Sequence, residues 1–122
     1  MPESPRILVV EDDPTSQRVA TAMLAKLGYA VDIAESGSAA VDAAARHCYH
    51  LILVECQVEG GDGLWATRQI RASGGLSAYA PIVALTILDD ASACRDAGMD
   101  GHLRKPARFS DIVRVVEEWS NC

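Results

Sequence analysis

Aromatic residues are scarce in this chain, making up 5% of 122 residues with a single phenylalanine, while alanine is abundant. That balance points to tight helix packing and away from a ring-lined ligand platform. Basic clusters are missing too. The net charge is −6 at pH 7 and no group of Lys or Arg stands out, which argues against a domain that grips nucleic acid or an anionic membrane. No apolar run approaches the roughly 20 residues needed to span a bilayer. The opening Met1-Pro2-Glu3-Ser4-Pro5-Arg6 lacks the basic segment and long apolar core of a signal peptide, so a cytoplasmic protein is expected. The four cysteines, Cys48, Cys56, Cys94 and Cys122, form no Cys-x-x-Cys pair and read as reduced thiols. Cys48 and His50 alone make a weak case for a metal. Internal repeats, low-complexity tracts and linkers are absent, which leaves one domain over residues 1–122.

Hydrophobic residues, at 49%, are ample for a core. Short branched apolar runs predict strands at Arg6–Val10, Ala30–Ala34, Leu51–Glu55, Pro81–Leu85 and Gly101–Arg104. Between them, helical spacing predicts helices over Thr15–Leu27 (Val19, Met23, Leu24 and Leu27 recurring) and Ala39–His47 (Val41, Ala44 and Ala45 on one side). Further helices are expected over Gly63–Ala72 (Leu64, Thr67 and Ile70 inward), Asp89–Ala97 and Phe109–Trp119, the last with a stripe of Phe109, Ile112, Val113, Val116 and Trp119. Pro14 suits a helix start, with Thr15 or Ser16 helping to satisfy its free N–H groups, and Asp62 is a natural N-cap. Gly28, Ser73-Gly74-Gly75 and Gly98 are stop signals. Five successive strand–helix repeats with short connections predict an α/β fold, a parallel sheet with helices on both faces.

The strand ends carry the chemistry. Glu11 and Asp12 follow the first strand, Glu55 ends the third, Thr86 follows the fourth and Lys105 the fifth. In a doubly wound sheet these positions converge on one crevice beyond the carboxyl ends of the strands. Three carboxylates against one ammonium is a lopsided set. Carboxylates about 5 Å apart repel by roughly 3 kcal/mol per pair at an effective dielectric near 20. The cluster must bind a cation, protonate or stay wet. Oxygen-only donors fit Mg²⁺, which keeps several waters and takes one or two carboxylates.

The stretches ILVVEDD, LILVE…DG, PIVALT and GMDGHLRKP resemble, in order and spacing, the receiver domains of two-component response regulators, and GMDGHLRKP resembles the receivers of hybrid sensor kinases. The resemblance covers roughly the whole chain. It implies a doubly wound five-stranded sheet ordered 2-1-3-4-5. It also implies a phosphorelay signalling module, not an enzyme, that takes a phosphoryl group from a histidine kinase or phosphotransfer protein, or engages an output protein. Position by position, it implies Mg²⁺ at Glu11 and Asp12, with the backbone carbonyl of Gln57 and the carboxylate of Glu55 completing the set. Thr86 matches the hydroxyl that contacts the phosphoryl group, Lys105 the lysine beside it, and the Lys105–Pro106 bond is expected to be cis. His102 matches the aromatic switch position. The face from the fourth to the fifth helix is the one used for output or a homodimer.

The sequence departs from that pattern. Glu55 stands where the phosphoacceptor aspartate belongs, one methylene too long. Val58-Glu59-Gly60-Gly61 replaces the usual Met-Pro turn, and His102 reads as a partly exposed strand residue. The span Ile87–Asp96 is about one helical turn short. Two accounts of Glu55 stand open: a natural receiver impaired in phosphorylation, or a receiver altered to a phosphate mimic with about −1 charge in place of nearly −2. A competent acceptor at Glu55 or Asp12 is the alternative function. A flavin carrier on the same architecture would need a phosphate-cradling loop where Glu11-Asp12-Asp13-Pro14 stands.

Overall fold

The computed structural model describes residues 5–56, 63–86, 91–104 and 108–119. Five strands, β1 (Arg6–Val10), β2 (Ala30–Ala34), β3 (Leu51–Glu55), β4 (Ile82–Thr86) and β5 (Gly101–Arg104), alternate with five helices, α1 (Pro14–Lys26), α2 (Gly37–Arg46), α3 (Gly63–Ser73), α4 (Ala91–Ala97) and α5 (Phe109–Trp119). The sheet order is β2-β1-β3-β4-β5, and every pairing is parallel. β3 lies at the centre, and all five of its residues are buried. A strand covered on both faces needs no polar alternation, which is why LILV reads as an unbroken apolar run.

The two-residue period of the strands divides the core in two. Leu8, Val10, Ile52, Val54, Ile82 and Ala84 pack with Ala40 and Ala44 of α2, Ala66 and Ile70 of α3 and Cys94 of α4. On the opposite face, Ile7, Val9, Leu51, Leu53, Val83 and Leu85 pack against Leu24 of α1 and Ile112, Val115 and Val116 of α5. The small residues of α2 and α3 let these helices approach each other and the sheet closely.

Several expectations need correction. α1 is capped by Asp13, whose extended backbone (φ −87°, ψ 120°) frees its carboxylate to accept from the Ser16 N–H at 2.8 Å and the Ser16 hydroxyl at 2.9 Å. Ser16 is thus the donor, not the cap. α2 starts at Gly37 rather than Ala39, because the Ser36 side chain caps it by accepting from the Ala39 N–H. Its buried residues are Gly37, Ala40 and Ala44, with Val41 partly buried against the core, whereas Ala45 is exposed. β4 starts at Ile82, since Pro81 has no N–H, although its carbonyl accepts from Ile52 N at 2.9 Å. In α5 Val115 takes the buried place expected for Val113, and Phe109 is 38% exposed. Val19 of α1 is 48% exposed. The helix stops hold: Gly28, Gly74 and Gly98 have φ of 92°, 69° and 107°. Asp62, Ile87–Asp90 and Pro106 lie outside the described residues.

Candidate functional site

Strand period and register together build the site. Residues 7 and 9 of β1 and 51 and 53 of β3 face α1 and α5. Glu11 and Glu55 continue those two odd-numbered rows. The pairing Val10↔Val54 places the next residues, Glu11 and Glu55, side by side on neighbouring strands, whose axes lie about 4.8 Å apart. The ladder runs on through Glu11, whose N–H donates to Ala34 O at 3.0 Å. Both carboxylate residues are buried, Glu11 at 6% and Glu55 at 7% exposure, whereas Asp12 is exposed.

The first turn of α1 fastens the Glu11 side of the site. Gln17 Nε2 donates to the Glu11 carbonyl at 2.7 Å, and the Asp13 N–H donates to Glu11 Oε1 at 3.3 Å. The Glu55 side is fastened by the start of α3. Gly63 N–H donates to Cys56 O at 2.9 Å. A Cβ on Gly63 would lie 2.6 Å from Val54 Cγ1, 2.7 Å from Cys56 Cα and 2.8 Å from the Glu55 carbonyl. Only glycine lets the helix begin this close to the strand end. Thr67 Oγ1 returns a hydrogen bond to Gly63 O at 2.8 Å and holds the first turn of α3 in place.

Of the other residues singled out in the sequence, Thr86 ends β4 in register with Arg104 of β5, and His102 sits in β5 opposite Ala84, half-buried. Gln57 and Lys105 lie outside the described residues. The donor set that is described, two buried carboxylates with an exposed third beside them, suits a hard cation that retains its waters. Among the described residues, no group of three or more His, Cys, Asp and Glu side chains comes together as a metal cluster.

Below the carboxylates lies a cleft of ≈ 240 Å³ between the sheet and the α1 and α5 helices. Glu11 and Glu55 line it together with Val9, Leu53, Val19, Ala20, Met23 and Ile112.

Sequence reasoning missed Arg71 of α3. Its guanidinium donates to Gly98 O (3.0 Å), Ala78 O (2.9 Å), Ala80 O (2.7 Å) and Asp100 Oδ2 (2.8 Å). The signal was present: Arg71 follows the buried Thr67 by four residues and so borders the inward face of the helix. A second missed cluster joins Tyr49, whose hydroxyl donates to Asp32 Oδ2 at 2.8 Å, to Arg6, paired with Asp32 Oδ1 at 2.6 Å. Burial, reinforced by the Asp32 carboxylate, pushes the Tyr49 phenol well above its ordinary value.

With fold and strand-end geometry in hand, the comparisons with known proteins are consistent. The family model described as the response regulator receiver domain matches residues 7–117. The chain is 34% identical to the sensor protein GacS of Pseudomonas syringae pv. syringae over 96% of its length. It is 36% identical to histidine kinase 1 of Arabidopsis thaliana over 93% of its length. It spans only 14% of the first relative and 12% of the second. Among solved structures, the receiver domain of the sensor histidine kinase PA1611 from Pseudomonas aeruginosa PAO1 matches with a TM-score of 0.90 and 39% identity. That match covers 98% of this chain and all of the other, which was crystallised with a magnesium ion in its active-site cleft. The chain belongs to the response regulator receiver domain family, the phosphorelay signalling modules of two-component systems. Its relatives here are receivers within sensor histidine kinases, and no helix among the described residues is long and apolar enough to cross a membrane.

Proposed function

We propose that this chain is a receiver whose phosphoacceptor position is held by Glu55, and that it signals through protein contacts with phosphotransfer strongly reduced. The observation behind this reading is the placement of Glu55: buried at the end of the central strand, in the row beside Glu11. In a competent receiver, a carboxylate oxygen attacks the phosphorus of a phosphohistidine. The P–N bond breaks, the imidazole nitrogen takes a proton, and an acyl phosphate results. Glutamate has the same nucleophilic group but carries it one C–C bond, about 1.5 Å, further from the backbone. A misplacement near 1 Å costs about 100-fold in rate.

Glu11 and Glu55, with Asp12 and the carbonyl of Gln57, are the residues assigned to hold Mg²⁺; bound, the ion would neutralise charge on the transferring phosphoryl oxygens. The donor chemistry supports this assignment, as does the magnesium-bound relative. Thr86 and Lys105 are assigned to contact the phosphoryl oxygens, and His102 to the switch position. A histidine kinase or phosphotransfer protein is the expected upstream partner, and an output protein or a second copy on the face from α4 to α5 the downstream one.

The test is phosphorylation by acetyl phosphate and Mg²⁺, comparing the unaltered chain with Glu55→Asp. The expected result is uptake by Glu55→Asp at least about 100-fold faster than by the unaltered chain. Stoichiometric phosphorylation of the unaltered chain, mapped to Glu55, would overturn the impaired reading in favour of a competent acceptor. If neither protein takes up phosphate, Glu55 alone is not the cause, and the Val58–Gly61 turn shares it.

A further inference from the structure

We infer that α4 is released from the sheet as a unit of its own, ahead of the rest of the fold, and that Arg71 is the latch that holds it down. Its seven residues make about two turns, too short a helix to persist in water unless packing supports it. Among the described side chains of α4, packing comes from Cys94 and Ala97, each 4% exposed, while Ser92, Arg95 and Asp96 are exposed. Both are small beside the Ile112, Val115 and Val116 that α5 buries. Burial stabilises in proportion to apolar area, so hydrogen bonds carry more of the attachment of α4 than of α5.

Those bonds converge on the turn at Gly98. Gly98 N–H donates to Arg95 O and Met99 N–H to Cys94 O, both at 3.0 Å, and the Gly98 carbonyl accepts from Arg71 Nε at 3.0 Å. The other bonds of the guanidinium go to a frame outside α4: Nη1 to Ala78 O and Ala80 O, and Nη2 to Asp100 Oδ2. Asp100 Oδ2 also accepts from Ile82 N at 2.9 Å, which fixes this frame to β4. The frame holds the guanidinium, and the guanidinium holds α4 through the single Nε bond. Breaking that bond frees the helix and leaves the other three intact, so the cost of opening is local. Opening uncovers the edge of the core where Cys94 packs with Ile82 and Ala84. That edge belongs to the face from α4 to α5, so the latch sets how often its apolar surface is presented to a partner. The inference stands on the geometry of Arg71 and the Gly98 turn and does not depend on the phosphotransfer reading.

The test is hydrogen exchange at the backbone amides of the whole chain, followed by NMR in rising concentrations of sub-denaturing urea. The amides of Arg95, Asp96 and Ala97 are expected to exchange at least about ten-fold faster than those of Leu51 to Val54 and with little dependence on urea, the mark of an opening that exposes little surface. Arg71→Ala should raise this urea-independent rate at least about ten-fold, the effect of losing one hydrogen bond to a charged group. Tyr49→Phe is the control, because its lost bond to Asp32 weakens the fold at the edge of the sheet opposite β5. It should speed exchange in β3 and leave the urea-independent rate in α4 unchanged. Where Arg71→Ala fails to fold, Arg71→Lys takes its place: one nitrogen cannot serve Gly98 and the frame together, so the same rise is expected. Exchange of the α4 amides with the urea dependence of β3, an unchanged rate in the Arg71 variant, or an equal rise in Tyr49→Phe would each overturn the inference.

Discussion

Arg71 should be among the most costly side chains to remove, although it lies away from the strand-end acids. Its four hydrogen bonds tie α3 to three other segments: Ala78 and Ala80 in the loop before β4, Gly98 at the end of α4, and Asp100 at the entrance to β5. Asp100 in turn accepts from Ile82 N at 2.9 Å and donates its own N–H to Ile82 O at 2.7 Å, so the clamp reaches the first residue of β4. Hydrogen bonds to a charged group contribute roughly 1.5–3 kcal/mol each. The four share one side chain that is 23% exposed, and water replaces part of what is lost, so the full sum is not recovered. About two bonds' worth at the low end, roughly 3 kcal/mol, is the expected cost of Arg71→Ala. With an unfolding entropy of roughly 0.26 kcal/mol/K for a chain of this length, that lowers Tm by about 12 °C. Arg71→Lys keeps the charge but cannot span three carbonyls and a carboxylate from one nitrogen, and should recover less than half of the loss. Thermal and urea denaturation followed by circular dichroism measure both. A drop under about 4 °C for Arg71→Ala, or a lysine variant as stable as the unaltered chain, would refute the clamp.

Gly63→Ala should cost about 1–3 kcal/mol in urea denaturation, because its methyl group has to displace the backbone of Cys56 or the Val54 side chain. A fully stable Gly63→Ala protein would contradict the close approach of α3 to β3. Binding of Mg²⁺ at the strand-end acids should stabilise the fold by about 1.4 kcal/mol at ten times its Kd, and Glu11→Gln should remove most of that increment; an undiminished increment would place the ion elsewhere. Tyr49 titrates higher in the folded than in the unfolded chain, so its contribution is fully present below its ordinary value of 10.0 and is lost as the pH rises beyond it. Urea midpoints at pH 8 and pH 11 should therefore show a steeper fall for the unaltered chain than for Tyr49→Phe, which also loses roughly 1 kcal/mol with its hydrogen bond to Asp32.

What was legible in the sequence divides along a physical line. The apolar runs Ile7–Val10 and Leu51–Val54 are buried on both faces, which leaves little choice of residue type, and the expected bounds of β1, β2, β3 and β5 agree with those observed. Helix faces were less legible, because an alanine-rich helix such as α2 has little contrast between its sides, and a rotation of one residue separates Ala44 from Ala45. In α5 the buried set 112, 115 and 116 follows the i, i+3, i+4 rule, yet Val113 is as apolar as Val115, and only packing against the sheet decides between them. The place of Arg71 beside the inward face of α3 was legible, but the partners of the clamps at Arg71 and Tyr49 were not, because they lie 7 to 29 residues away and their meeting depends on the completed fold.

The candidate site lies between these cases. That Glu11 and Glu55 end adjacent strands follows from the apolar runs. That both look toward α1 and α5 follows only from the register Val10↔Val54 combined with the two-residue period. A shift of one residue in that register would put the two carboxylates on opposite faces of the sheet and dissolve the pocket. The four unbroken apolar residues before each acid, from Ile7 to Val10 and from Leu51 to Val54, are therefore more than core: their pairing fixes which way the chemistry faces.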